Sequence, residues 1–290
     1  MEFDDQRVDA SELEDQRGGG GGVGRGVAFG TGGAGILGVV IYLLVTVLGG
    51  GSGSSSPSSL SGGGTSGDVA RRCNTSGAID QYDDCFVLKA FNEINEVWGA
   101  QFSRSGQTYT KPRLVYFSQA VNTGCGTASS QVGPFYCPPD RKVYIDLGFL
   151  DQLQRNYGAQ GRYAQAYIVA HEVGHHLQTL TGQEARVRQA QQADPSQENA
   201  LSVQLELQAD CYAGVWSTLA NAGGNLTIGE AELDQALGAA QAVGDDRIQA
   251  RAGQVNPETW THGSAEQRRS AFLTGYRGAT MASCGTVPHA

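Results

Sequence analysis

Apolar residues fall along this chain in three rhythms, and each predicts a different kind of element. Over residues 27–48 they are nearly continuous, densest at 36–48 (ILGVVIYLLVTVL), and no charged residue occurs anywhere in 27–67. Roughly 20 such residues suffice for a helix to cross the hydrocarbon core of a bilayer. Over 84–100 the side chains Val87, Phe91, Ile94 and Trp98 recur every three or four positions, the spacing of one helix face. Residues 113–117 (RLVYF) and 142–145 (KVYI) are short, β-branched and aromatic, which predicts strands joined through Gly-rich turns containing Cys125 and Cys137.

Terminal signals place the remaining helices. One spans 163–180 and ends before Gly182. A second opens at Asp194-Pro195, with Asp as N-cap, Pro at the first helical position and Gln197 three beyond the cap, and runs to about 221. A third covers 230–243, and Ser264-Ala-Glu-Gln267 is a capping box opening a last helix to about 275. The expected fold class is α+β, mostly helical, with a small sheet beside the 163–180 helix and one transmembrane helix ahead of it.

Composition divides the chain into four segments. Residues 1–26 carry seven acidic residues and three Arg and are expected as an acidic, disordered, cytoplasmic tail. Residues 27–48 are the expected transmembrane helix, 49–67 a Gly/Ser-rich tether, and 68–290 one folded domain. A cleaved signal peptide fits less well, because the preceding segment is acidic and no A-x-A-like site comes after the apolar run. A buried core helix fits less well against the glycines of the span. Arg17 and Arg25 before the span, with no basic residue after it until Arg71, set the N-terminus inside and the domain outside. Gly30-Thr-Gly-Gly-Ala-Gly35 matches a dinucleotide-binding pattern, but no strand precedes it and no acidic residue lies about 20 further on. Ala28, Gly32, Ala34 and Gly38 instead suit packing of two spans into a homo-oligomer.

The net charge of −9 and the absence of a basic stripe exclude nucleic acid as a partner. All six cysteines (73, 85, 125, 137, 211 and 284) come after the span, which reads as extracytoplasmic disulfides. Cys73–Cys85 and Cys125–Cys137 would each close a short loop and leave Cys211–Cys284, but six cysteines allow fifteen pairings and the sequence does not choose among them. The sequons at Asn74 and Asn225 would carry no meaning if the source is bacterial.

The candidate chemistry lies at His171-Glu-Val-Gly-His175-His176. HExxH on a helix sets two imidazoles one turn apart on one face, with Glu172 about 100° round and free to act as a base. A catalytic zinc takes three protein ligands and keeps one position open. A third His is not at position 181, which is Thr181. Glu206-Leu-Gln-Ala-Asp210 lies in the next helix: Glu206 fits as the third ligand and Asp210, one turn on, as acceptor for a ligand imidazole. Two charges in the apolar stretch QLELQADCYAGVW need partners. His262, two residues before a helix start, reads either as an oxyanion stabiliser or as a surface or capping residue. Arg268 reads as a brace for Glu206 or Asp210, or as a surface charge. His176 points away from His175 and reads as a packing residue, and His289 lies at the chain end.

The segments 133–149 (GPFYCPPDRKVYIDLGF), 164–182 (AQAYIVAHEVGHHLQTLTG) and 199–216 (NALSVQLELQADCYAGVW) resemble the bacterial putative neutral zinc metallopeptidase family. The likeness covers the apolar anchor and all of 68–290. It implies a zincin-like domain of gluzincin type and a single Zn2+ on His171, His175 and Glu206. It also implies Glu172 as base and a peptide or protein as substrate. Thr261-His262-Gly-Ser264-Ala-Glu-Gln-Arg268 is similar to a T-H-P-S-x-x-x-R stretch of membrane-embedded heat-shock and CAAX-prenyl endopeptidases, with Gly263 in place of Pro. The alternative reading is a catalytically inactive, zinc-containing extracytoplasmic binding domain.

Overall fold

The computed structural model describes residues 2, 3, 7–17, 65–157, 160–224 and 226–285. The apolar segment 27–48, the glycine pattern at 30–35, most of the tether and His289 lie outside the described residues. Among the described residues, no helix is long and apolar enough to cross a membrane. The strands are β1 (Glu2–Phe3), β2 (Leu13–Asp15), β3 (Arg113–Tyr116), β4 (Ala120–Thr123), β5 (Gly126–Ser129), β6 (Phe135–Cys137), β7 (Lys142–Ile145) and β8 (Leu226–Thr227). The helices are α1 (Ser66–Cys73), α2 (Ala78–Gln81), α3 (Asp83–Arg104), α4 (Leu147–Tyr157) and α5 (Arg162–Leu180). After them come α6 (Gln183–Ala193), α7 (Glu198–Ala222), α8 (Glu230–Ala242), α9 (Asp245–Arg251) and α10 (Ala265–Gly278). The architecture is α+β and mostly helical, as expected.

The main sheet runs in the order β2-β3-β7-β6, parallel except for β6, which is antiparallel to β7. Apart from Arg113 and Lys142 at their starts, β3, β6 and β7 are apolar because both faces are covered. Leu114, Tyr116, Tyr136, Val143 and Ile145 join the helical core, whereas Val115, Phe117, Phe135, Cys137 and Tyr144 form a second cluster with Val121 of β4. That split reflects the two-residue period of a strand. The loop expected between the strands is itself a hairpin, β4 with β5, which leads into β6.

Helix α5 is the central element and packs on α3, α7 and α8. It is buried along nearly its whole length from Tyr163 to Gln178, so its polar side chains must find partners inside the protein. Gly174 lets α7 approach: a Cβ there would lie 3.0 Å from the Ala209 Cα. Helices α7 and α10 touch backbone to backbone at Gly275, where a Cβ would meet the Cys211 carbonyl oxygen at 1.8 Å. Asp194 caps as expected, accepting from the Ser196 N–H, but its first turn is 3-10 before α7 begins at Glu198. The disulfides are Cys73–Cys85, Cys125–Cys137 and Cys211–Cys284.

The largest departure from expectation is at the N-terminus. Instead of a disordered tail, residues 7–17 are part of the fold. Strand β2 is the outer strand of the main sheet, and β1 pairs with β8. Leu13 is buried in the helical core. Within the described residues 7–17, charges that suggested a solvated tail meet partners. Glu12 accepts from Asn92 and Asn95, both at 2.9 Å, and pairs with Lys111. Glu14 pairs with Arg113 at 2.7 Å and Lys142 at 2.8 Å. Arg17 bridges Asp15 and the buried Asp84, which also pairs with Arg72. The end of the expected tether is ordered too, since α1 starts at Ser66 with Asp68 accepting from the Thr65 N–H.

Candidate metal centre

His171 and His175 face the same side of α5, and their Nε2 atoms are 3.2 Å apart. Helix α7 brings Glu206 to the same point, with Oε2 3.1 Å from His171 Nε2 and Oε1 3.4 Å from His175 Nε2. Ligands at about 2.0–2.1 Å in a tetrahedron stand about 3.3–3.4 Å from one another, so this donor set fits one zinc ion. Protonation agrees with that fit. His171 Nδ1 lies 2.8 Å from Asp210 Oδ1, and His175 Nδ1 2.9 Å from Gln178 Oε1. Both acceptors assign the ring proton to Nδ1 and leave the Nε2 lone pairs facing the Glu206 carboxylate. Such an arrangement needs a cation. Burial opposes charge on His171, but Asp210 and Glu206 outweigh it and push its pKa up to about 10 when a proton is the only cation on offer. Burial likewise opposes ionisation of Glu206, yet hydrogen bonds from His171 and His175 hold its carboxyl well below the usual range.

A second layer fixes these ligands. Asp210 receives a two-pronged ion pair from Arg268, Nε to Oδ2 at 2.8 Å and Nη2 to Oδ1 at 2.9 Å. Tyr167 donates its hydroxyl to the same carboxylate. Burial raises the Asp210 pKa, but Arg268 and His171 dominate and bring it below its ordinary value. Gln178 is oriented by its own amide, which donates to the Leu205 carbonyl at 2.7 Å and to Gln208 at 3.2 Å. Arg268 therefore braces Asp210 rather than Glu206.

Glu172 is buried beside the ligands. Burial raises its carboxyl pKa, with His171 and His175 acting against the rise. His262 is neither a cap nor a surface residue: it is 8 % exposed and its Nε2 lies 3.9 Å from Glu206 Oε1. Its loop is clamped by Asp245, whose Oδ2 accepts from the N–H groups of Thr261 (2.8 Å), His262 (2.7 Å) and Gly263 (3.1 Å). Gly263 has φ +88°, a backbone that the proline of the similar T-H-P-S stretch cannot adopt. Burial pushes the His262 pKa down to about 3, so the ring is neutral. The expected capping box is present, with Ser264 and Gln267 exchanging hydrogen bonds. His176 packs as expected, between the Tyr136 hydroxyl at 2.9 Å and the Thr110 carbonyl at 2.6 Å.

Sequence reasoning missed Tyr167, Gln178 and Asp245. The first two were accessible: Tyr167 is four residues before His171 and Gln178 three after His175, both on the ligand face of one helix. Asp245 acts on a loop 16 to 18 residues away and carries no local signal. Gln178→Leu is expected to weaken zinc binding about 10–100-fold, since it removes the acceptor that orients His175. Competition against a zinc chelator of known affinity measures this.

Two imidazoles and a carboxylate on crossing helices, with a buried glutamate beside them, have the donor types and number of a catalytic zinc centre. Known proteins point the same way. The chain belongs to the family described as "putative neutral zinc metallopeptidase", whose model matches residues 1–287. It is 41 % identical over 287 residues to YpfJ of Escherichia coli (strain K12), covering 97 % of this chain and 96 % of that protein. It is also 41 % identical over 225 residues to Rv2575 of Mycobacterium tuberculosis (strain H37Rv), covering 74 % of each. Both relatives are described as uncharacterized proteins. No solved structure matches the chain.

Proposed function

We propose that this protein is a zinc-dependent peptidase that hydrolyses peptide bonds of protein substrates. We further propose that it works outside the cytoplasm, held at a membrane by its apolar segment 27–48. The observation that carries the reading is the convergence of His171, His175 and Glu206 within one tetrahedral spacing beside the otherwise unused buried carboxyl of Glu172. Zinc held there supplies Lewis-acid polarisation of water and of the scissile carbonyl. Glu172 takes the proton of the attacking water and passes it to the departing amine, a task helped by a raised carboxyl pKa. Neutral His262, with Nδ1 2.7 Å from the Thr261 hydroxyl, offers Nε2–H to the oxyanion that develops on the carbonyl. Asp210, Arg268, Tyr167 and Gln178 keep the ligands in register.

The inactive binding-domain alternative is disfavoured by ligand number. Among the described residues the cluster has three protein donors, whereas a structural zinc takes four. Cys211, the nearest sulfur in sequence, is bonded to Cys284. The other grouping of potential ligands, Cys73, Asp84 and Cys85, has both sulfurs in a disulfide. The test is cleavage of an unfolded protein by the purified full chain. Chelation is expected to abolish cleavage, and equimolar zinc to restore it. A zinc-loaded protein that leaves a panel of unfolded substrates intact overturns the reading.

A further inference from the structure

We infer that residues 2–17 lie on the same side of the membrane as the disulfide-bonded domain, outside the cytoplasm, so that the chain leaves and re-enters the fold on one side. This replaces the arrangement expected from sequence, in which one crossing at 27–48 separates a cytoplasmic N-terminus from an external domain. It does not depend on the peptidase reading.

Distance decides between the two arrangements. A single crossing places about 30 Å of hydrocarbon between the residues before it and the residues after it. Here the two parts are in register as adjacent strands: Leu13 pairs with Leu114, Glu14 with Val115 and Asp15 with Tyr116, a separation of about 4.8 Å. The contact extends well beyond one strand. Phe3 pairs with Leu226 at the opposite end of the segment, and Val8 N–H donates to Asn74 Oδ1 at 3.1 Å. The last strand residue before the apolar segment meets the first helix after it, Asp15 N–H to Ser66 Oγ at 3.0 Å.

Charge supports the docked state. Glu12 and Asp84 are 7 % and 6 % exposed, and each meets a cation from the other part of the chain, Lys111 for Glu12 and Arg17, beside Arg72, for Asp84. Separating the parts would break both of these ion pairs, Glu12–Lys111 and Arg17–Asp84. Arg17, one of the two residues that favoured an internal N-terminus, is used in this ion pair and no longer acts as a free topological charge. The compartment is set by Cys85, the neighbour of Asp84, which is oxidised to a disulfide with Cys73 of α1. Disulfides persist outside the cytoplasm. The latch that receives the N-terminus and this disulfide therefore share a few residues and one compartment.

The experiment uses the absence of background thiols, since all six native cysteines are paired. Ser11→Cys in the N-terminal segment and Ser105→Cys in the domain are both at exposed positions. Each full-length variant is labelled with a membrane-impermeant maleimide in intact spheroplasts, then again after permeabilisation. The expected result is equal labelling of both variants in intact cells with no gain on permeabilisation. Labelling of Ser11→Cys only after permeabilisation, with Ser105→Cys labelled beforehand, restores the single crossing and overturns the inference. Labelling of both only after permeabilisation places the domain in the cytoplasm and overturns it as well.

Discussion

Glu172→Gln is expected to lower kcat about 10²–10⁴-fold while the zinc stays bound. Glu172 is adjacent to His171 in sequence but takes no part in the donor set, which is complete with His171, His175 and Glu206. The amide keeps the shape and burial of the carboxyl and removes only its ability to accept a proton. Folding should not suffer, because burial already works against the ionised form of this group. Cleavage of an unfolded protein, measured beside metal content, decides the matter. Loss of the metal together with activity would assign Glu172 to the ligand architecture and refute its role as a base.

Arg268→Met should cost about 3–5 kcal/mol of folding stability, because it strands the fully buried Asp210 carboxylate without its ion-pair partner. Adding Asp210→Asn to that variant is expected to recover part of the loss, as the stranded charge goes with it. The pH dependence has a definite sign. Arg268 and His171 lower the Asp210 pKa in the folded state, so the contribution is present in full above the unfolded carboxylate value of about 3.9. It is lost as pH falls through the lower folded value. Wild type and Arg268→Met should therefore converge in acid and differ most near neutrality. Urea unfolding across that range tests this, and a difference below about 1 kcal/mol at neutral pH would mean that solvent reaches Asp210.

The parts of the site that were legible in the sequence are those set by one helix or one cap. His171, Glu172 and His175 need only the helical period, and Glu206 with Asp210 needs only the recognition that charges in an apolar helix must be paired. Ser264 and Gln267 declared the start of α10 through a local exchange of hydrogen bonds. The hidden parts depend on residues far apart in the chain. Leu13-Glu14-Asp15 has no alternating pattern and becomes a strand only because Arg113–Tyr116 pairs with it and Arg113 and Lys142 neutralise Glu14. The hairpin β4–β5 was masked by its polar residues, since only one face of it meets the second cluster. The same limit applied to Asp245, whose three backbone donors sit in a loop that the sequence leaves unplaced.

Strand β2 also decides how the protein can be handled. It covers the outer edge of β3, whose Leu114, Val115 and Tyr116 are fully buried in the intact chain. A fragment trimmed to the region after the apolar segment keeps His171, His175 and Glu206 but loses that cover. Its sheet then ends in an apolar strand with an unpaired row of N–H and C=O groups, a template on which a second molecule can add a strand. Self-association of such a fragment would be a product of the trimming and not a property of the native protein.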